Sequence, residues 1–321
     1  MSSTAAQQAA AIQALIGAMK ANRTVNYAAI GMTALITADY LHTLPKEVRL
    51  MWPTKLSVPK VLFFLVRYYT FVHSMLSAWH HGAVALTGDA ACYQPFTVDA
   101  YSCLVTHALC EAISYVRAYA FSGRNRYVLG FLIVLFVSIH SVEFYILAKF
   151  VKTVKFATLP PPVQAGCVAI KGDNKALSLI FELILVSLAT VTILMIGTAW
   201  WRRRQSHGAE AGSLLKLFYR DGIFYFIFLS TLAVANIIFD HTAPSNGLQF
   251  TMVQIQVHLN GVAAGRLLLH LREWAAKVIM RGKPVADTTL GDLELSSQYP
   301  QSYPRAPRVF IEVSKNTSQG F

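Results

Sequence analysis

Apolar residues in this chain come in long blocks, with little of the striping that marks the surface helices of soluble domains. Seven blocks stand out: 25–44, 58–81, 98–121, 127–149, 176–201, 217–239 and 249–271. A helix needs about 20 apolar residues to cross the hydrocarbon core of a bilayer, and each block is close to that length. Lipid offers the backbone no hydrogen-bond partner, so every block predicts a helix. The fourth (YVLGFLIVLFVSIHSVEFYILAKF) and fifth (ALSLIFELILVSLATVTILMIGTAWW) are almost unbroken, while the first and last are the most polar. The sixth opens on Arg220-Asp221-Gly222 and then runs without a charge to Phe239. A soluble amphipathic helix would alternate faces there. The pattern predicts an all-α, polytopic membrane protein, a seven-helix transmembrane bundle over 25–271.

Composition agrees. Of 321 residues, 55% are hydrophobic and only 14% charged, with a mean hydropathy of +0.44; soluble domains carry about 25% charge. The formal charge of +12 raises nucleic acid as a partner. That function needs a water-exposed basic face, whereas here the cations sit in short runs beside apolar blocks, so no nucleic acid is expected. Their placement sets an orientation instead. Lys46, Arg49, Lys55 and Lys60 follow block one, Arg124 and Arg126 follow block three, and Arg202, Arg203, Arg204, Lys216 and Arg220 follow block five. The connections 82–97 and 240–248 hold no Lys or Arg, although 150–175 dissents with four lysines. The balance predicts an outside N-terminus and a cytosolic C-terminus, with the plasma membrane as the expected location. Trp52, Trp79, Trp200, Trp201 and Trp274 all fall at block ends or in connections, where interfacial belts gather such rings.

Residues 1–24 lack a basic leader pattern, so no cleaved signal peptide is expected and they read as an outer segment. Asn22-Arg23-Thr24 within them is a glycosylation sequon. Beyond block seven, Leu271, Trp274, Ala275 and Val278 recur at helical spacing among cations. Residues 272–283 therefore predict an amphipathic helix on the anionic cytosolic leaflet. From 284 to 321, Pro, Ser, Gln and Thr dominate without periodicity, which predicts a disordered cytosolic tail. Of four cysteines, Cys92 and Cys167 fall in two outer connections and are expected to form a disulfide; Cys103 is the competing partner, and Cys110 reads as a buried apolar residue.

Ionisable residues inside a membrane helix mark candidate sites. Arg67 and Glu111 lie at similar depth, with Asp39 nearer the cytosol, so a charge cluster of Arg67 with Asp39, Glu111 or both is expected. Nearer the outside, His73, His107, Glu143 and Glu182 occupy four different helices, with His140 one turn from Glu143 and with Asn236 and His258 on the last two. Facing inward, they would line a polar cavity for a small-molecule ligand; facing lipid, Glu143 and Glu182 would snorkel to the interface. Arg117, at the end of block three, and Asp221 are placed to form a cytosolic latch between helices 3 and 6. No block contains an HxxxH or HExxH pair and His80-His81 is terminal, so neither a metal site nor a cofactor is expected.

The segments ADYLHTLPKEVRLMWPTKLSVPKVLFFLVRYYTFV (38–72), VRAYAFSGRNRYVL (116–129), LFYRDGIFYF (217–226) and RLLLHLRE (266–273) carry a resemblance. Together they resemble a family of uncharacterised fungal, mainly basidiomycete, multi-pass membrane proteins with an N-terminal domain of unknown function (DUF6533-like). The resemblance implies a seven-helix membrane protein with no established ligand or activity. Among function classes, a receptor-like bundle sensing an outer ligand and signalling to a cytosolic partner fits the topology and the polar set. A proton- or ion-coupled transporter or a structural membrane protein are the alternatives. A retinal protein is excluded because 249–271 contains no lysine for a Schiff base. A membrane hydrolase would need clustered zinc ligands, for which the spacing is poor, so no enzyme is expected.

Overall fold

A computed structural model describes the backbone of residues 2–82, 85–159, 165–205, 212–244 and 246–280. Within these it describes the side chains of 6–82, 85–159, 165–198, 200–201, 225–244 and 246–276. Among the described residues there are seven long helices: α1 (Ser2–Leu50), α2 (Val58–Gly82), α3 (Asp89–Phe121), α4 (Arg126–Val151), α5 (Asn174–Gln205), α6 (Gly212–Thr242) and α7 (Phe250–Met280). A small antiparallel hairpin, β1 (Lys155–Phe156) and β2 (Ala169–Lys171), interrupts them between α4 and α5. Four helices are long and apolar enough to cross a membrane over Val58–Gly82, Arg126–Val151, Asn174–Thr198 and Tyr225–Thr242.

The bundle is polar within and apolar without. Helix α4 buries one stripe, Leu132, Ile139, His140, Glu143, Leu147, Phe150 and Val151. Its other faces present Ile133, Val134 and Val137 outward. Ile193 and Ile196 of α5 and Ile227 and Ile238 of α6 are likewise exposed. Water would penalise so large an apolar surface; lipid tails do not. Helices α1, α3 and α7 are less apolar because their polar residues point inward. Buried on α3 alone are Asp99, Ser102, Thr106, His107, Glu111, Ser114 and Arg117. Helix α3 packs against α2, α4, α5 and α7, while α1 packs against α2 and α7.

Close approach of backbone explains one glycine. A Cβ at Gly261 would lie 2.6 Å from Thr70 Oγ1 and 3.1 Å from its Cγ2, so glycine lets α7 press onto α2. At the α3–α4 turn, Gly123 and Arg124 both take positive φ (73° and 62°). Asn125 then caps α4, its side chain accepting from the Tyr127 amide at 2.9 Å, which relieves one orphan donor of the first turn.

The hairpin covers one end of the bundle, hereafter the hairpin end. Cys92 in the first turn of α3 and Cys167 just before β2 are joined by a disulfide, with Cα atoms 5.4 Å apart. Asp89 accepts from the Phe156 amide at 2.7 Å and pairs with Lys155 at 3.3 Å. The amide first, and the ammonium with it, hold the Asp89 carboxyl below its ordinary range.

The predicted outer segment 1–24 is the start of α1 from Ser2 onward. Its buried Ala18 packs on Ala157, Leu159 and Val168 of the hairpin region. Asn22 of the sequon donates to the Ala165 carbonyl at 2.9 Å. At the other end, α7 continues unbroken through 272–280. Lys46–Glu273 (3.0 Å) and Arg272–Ser57 (3.3 Å) tie that extension to the last turns of α1 and to the α1–α2 connection. The separate helix expected from residue 272 is therefore a prolongation of α7. The tail at 284–321 lies outside the described residues.

Candidate functional site

Two polar centres occupy the interior. The first lies where α1, α2 and α7 meet. Helix α1 passes through Pro45 to Leu50, although proline forfeits one backbone hydrogen bond. Two residues past the proline, Glu47 is fully buried, with its carboxylate 2.5 Å from Arg67 Nε. Arg67 also donates to the Tyr40 carbonyl (3.2 Å) and to Thr43 Oγ1 (2.5 Å), and lies 3.7 Å from Asp39. Its guanidinium covers the ring of Tyr40 at 4.8 Å. Arg266 of α7 donates to Asp39 at 2.5 Å. The hydroxyl of Tyr68 (2.9 Å) and the indole of Trp52 (3.3 Å) donate to Glu47. Two acids and two arginines thus form a neutral clamp. Lys60 donates to the Trp52 and Thr54 carbonyls and pins the connection beside it.

The expected pairing of Arg67 with Asp39 is present; that with Glu111 is not. Glu111 lies on α3 in the second centre, 3.1 Å from His140 Nε2 and 3.7 Å from His107 Nε2. His140 Nδ1 donates to Glu143 at 2.6 Å. Asn260 donates to His107 Nδ1 at 3.2 Å, which leaves Nε2–H of His107 directed at Glu111. Nearer the hairpin end, the Asp99 carboxylate receives His80 Nδ1 at 3.2 Å and Gln254 Nε2 at 3.3 Å. His73 Nδ1 and His81 Nε2 lie 3.7 and 3.8 Å from it. His258 donates from Nδ1 to the Gln254 carbonyl (2.7 Å), and its Nε2 lies 3.0 Å from Ser74 Oγ.

A cavity of about 90 Å³ opens between these groups, room for roughly half a dozen waters or a small organic molecule. The side formed by α2, α3 and α7 carries the polar groups, His80, His81, Asp99, His107, Gln254 and Asn260, among apolar residues such as Phe96, Leu104, Phe250 and Val253. The opposite wall is apolar, built from Leu147, Phe150, Leu177, Ile180, Phe181 and Ile184. Of the six residues expected to line a cavity, only His107 does so. His73 and His258 stand behind the polar wall, 5.2 Å apart by ring centroid. Glu143 is reached through His140, and Asn236 holds Gln256 of the wall. Glu182 is corrected outright: its side chain is 48% exposed, near Ser178 and His241 on the outer face of the bundle.

The residues that sequence reasoning passed over are Glu47, Asp99, Gln254, Asn260 and Arg266. Asp99 and Arg266 are charges inside apolar blocks; Glu47 lies beyond the first block, which ends at residue 44. Arg117 is buried on α3, close enough to Tyr225 of α6 to influence it electrostatically. The side chain of Asp221 lies outside the described residues, and the latch with it.

Residues 27–72 match a family of unknown function, DUF6533. The matched segment holds every clamp residue except Arg266. No curated protein and no solved structure matches the chain.

Proposed function

We propose that the chain is a receptor-like membrane protein that crosses the bilayer seven times and takes a small amphipathic ligand into the cavity at the hairpin end. The carrying observation is a mainly apolar cavity whose few polar groups are confined to the side formed by α2, α3 and α7, the arrangement that orients a ligand with a polar head and an apolar body. In this reading the N-terminus and hairpin face outward and the C-terminus faces the cytosol. The distribution of Lys and Arg favours that orientation, and a disulfide at the hairpin end favours an oxidising compartment there. The plasma membrane is the natural residence for such a protein, with anionic lipids meeting the basic cytosolic end and a signalling partner docking there.

Helix α7 supports a route for the signal. It carries Gln254 and Asn260 at the cavity and Arg266 in the clamp, so about 9 Å of helix separates ligand from clamp. A ligand that shifts α7 changes the Asp39–Arg266 contact, and the bundle then has two arrangements to choose between.

The test fills the cavity. Val253→Phe, on the cavity wall, is compared with wild type after purification from the same membranes, and small molecules released on denaturation are identified by mass spectrometry. The reading expects a species carried by wild type and absent from the variant, and a cytosolic protein whose co-purification is lost when 202–219 is replaced. Identical small-molecule content in both proteins would overturn it.

One observation favours proton-coupled transport as the second reading. Asp99, Cys103, His107 and Glu111 fall at four-residue intervals on α3 and lead to His140 and Glu143, a line of exchangeable groups about 18 Å long. Proton flux into proteoliposomes that vanishes with Glu111→Gln would select this reading over the first.

A further inference from the structure

We propose that His80, His81 and Asp99 form a binding site for a divalent transition-metal ion of the zinc class at the wall of the cavity. This goes beyond the receptor reading and does not depend on it. Each residue offers one ligand atom, and these atoms all lie within 4.8 Å of one another. Tetrahedral ligands held about 2.0–2.1 Å from zinc stand roughly 3.3 Å apart. His80 Nδ1 and His81 Nε2 are 3.2 and 3.8 Å from Asp99 Oδ2, so two edges of the ligand triangle already stand near that spacing, and the third is no longer than 4.8 Å.

Burial argues for an occupant. Asp99 and His80 are each 5% exposed and the His81 side chain 9%. A buried carboxylate needs a cation, and among the described residues the ion-pair partners of Asp99 are histidines alone. His81 Nε2 has no hydrogen-bond partner there, nor has Asp99 Oδ1. A hydrogen-bonded pair of His80 and Asp99 accounts for neither atom; a metal ion accounts for the first and draws the carboxylate toward it. Gln254, donating to Oδ2, and His73, beside Oδ1, steady the carboxylate from outside, as outer groups do at metal centres. Two imidazoles and one carboxylate suit zinc and its first-row neighbours, and supply too few oxygens for calcium or magnesium. All three donors face the cavity, so the fourth coordination position opens into it and takes water or an oxygen or sulfur donor.

The spacing of His80 and His81 hides this from the sequence. Adjacent histidines on a helix diverge by a third of a turn, and only the last turn of α2, beside α3, turns both toward Asp99.

Full-length protein, purified in detergent and stripped with chelator, is titrated with Zn2+ alone and, in parallel, with Co2+ alone. Wild type is expected to bind one equivalent of Zn2+, to melt at higher temperature with it, and to give the intense visible absorption of four-coordinate Co2+. His81→Phe keeps a ring against His80 (centroids 4.4 Å apart) and breaks no hydrogen bond. It and Asp99→Asn are expected to weaken Zn2+ on the order of 100-fold or more, while His241→Gln, on the outer face, leaves binding unchanged. Zn2+ binding equal in wild type and His81→Phe would overturn the proposal. So would a wild-type Co2+ spectrum of the weak six-coordinate kind, which is read without any variant.

Discussion

Replacing Arg67 with methionine tests the charge bookkeeping of the clamp. Arg67 is nearly inaccessible and serves both Glu47, at 2.5 Å, and Asp39, at 3.7 Å. Without it, Asp39 keeps Arg266, whose side chain is 58% exposed, while Glu47 keeps only the neutral donors of Tyr68 and Trp52. Stranding one member of a buried ion pair costs about 3–5 kcal/mol. At about 2–4 °C per kcal/mol for a domain of this size, the melting temperature in detergent should fall by roughly 10 °C. Glu47→Gln in the same chain removes the stranded charge. The double variant should therefore recover most of the loss, a coupling of about 2–3 kcal/mol. Asp39→Asn should cost less than Arg67→Met, because Arg67 then still holds Glu47. Thermal unfolding of wild type, Arg67→Met, Glu47→Gln and the double variant, followed by tryptophan fluorescence, reads the cycle, with Asp39→Asn measured beside them. If Arg67→Met costs less than about 1 kcal/mol, or if the two losses simply add, Arg67 and Glu47 do not form one electrostatic unit.

Gly261→Val should destabilise by about 1–3 kcal/mol through overpacking, and Thr70→Ala in the same chain should return part of it, as measured by thermal unfolding. Removing the Cys92–Cys167 bridge, which closes a separation of 75 residues, should cost about 4 kcal/mol on the chain-entropy account; equal melting of Cys92→Ser/Cys167→Ser and wild type under non-reducing conditions would contradict this. The Asp89 carboxyl is held below its ordinary range, so its contribution is complete above about pH 3.9, the unfolded value, and fades as the pH falls through the lower folded value. Asp89→Asn should thus sit a small, constant amount below wild type near neutrality and converge with it in acid. The difference is small because the Asp89–Lys155 pair is half exposed.

Much of the architecture is legible in the sequence because the bilayer's demands are crude. A helix must be long, apolar and internally hydrogen-bonded; six of the seven blocks lie within helices found among the described residues, and the seventh starts one residue before α7. Ends are harder to read. Helices α1 and α7 outrun their apolar blocks because hairpin contacts at Ala18 and the Lys46–Glu273 pair hold polar turns in place, and such contacts leave no local signature. The facing of individual residues is harder still. Helix α5 is apolar nearly all round, so nothing in its pattern says that Glu182 points outward. Glu47 lies past the first apolar block, in a helical turn that Pro45 does not end. Partnerships across the fold, such as Arg266 with Asp39, 227 positions apart, depend on which helices become neighbours. An isolated charge in a block shows that some partner is needed, and leaves its identity to the packing.

The clamp also imposes an order on manufacture. Glu47 and Arg67 belong to α1 and α2, consecutive helices separated by one short connection, and can neutralise each other as soon as both are made. Asp39 gains its second and closer partner, Arg266, only from α7, which is synthesised after both. Without α7, the two acids of the clamp would share the single guanidinium of Arg67; with it, each has an arginine of its own.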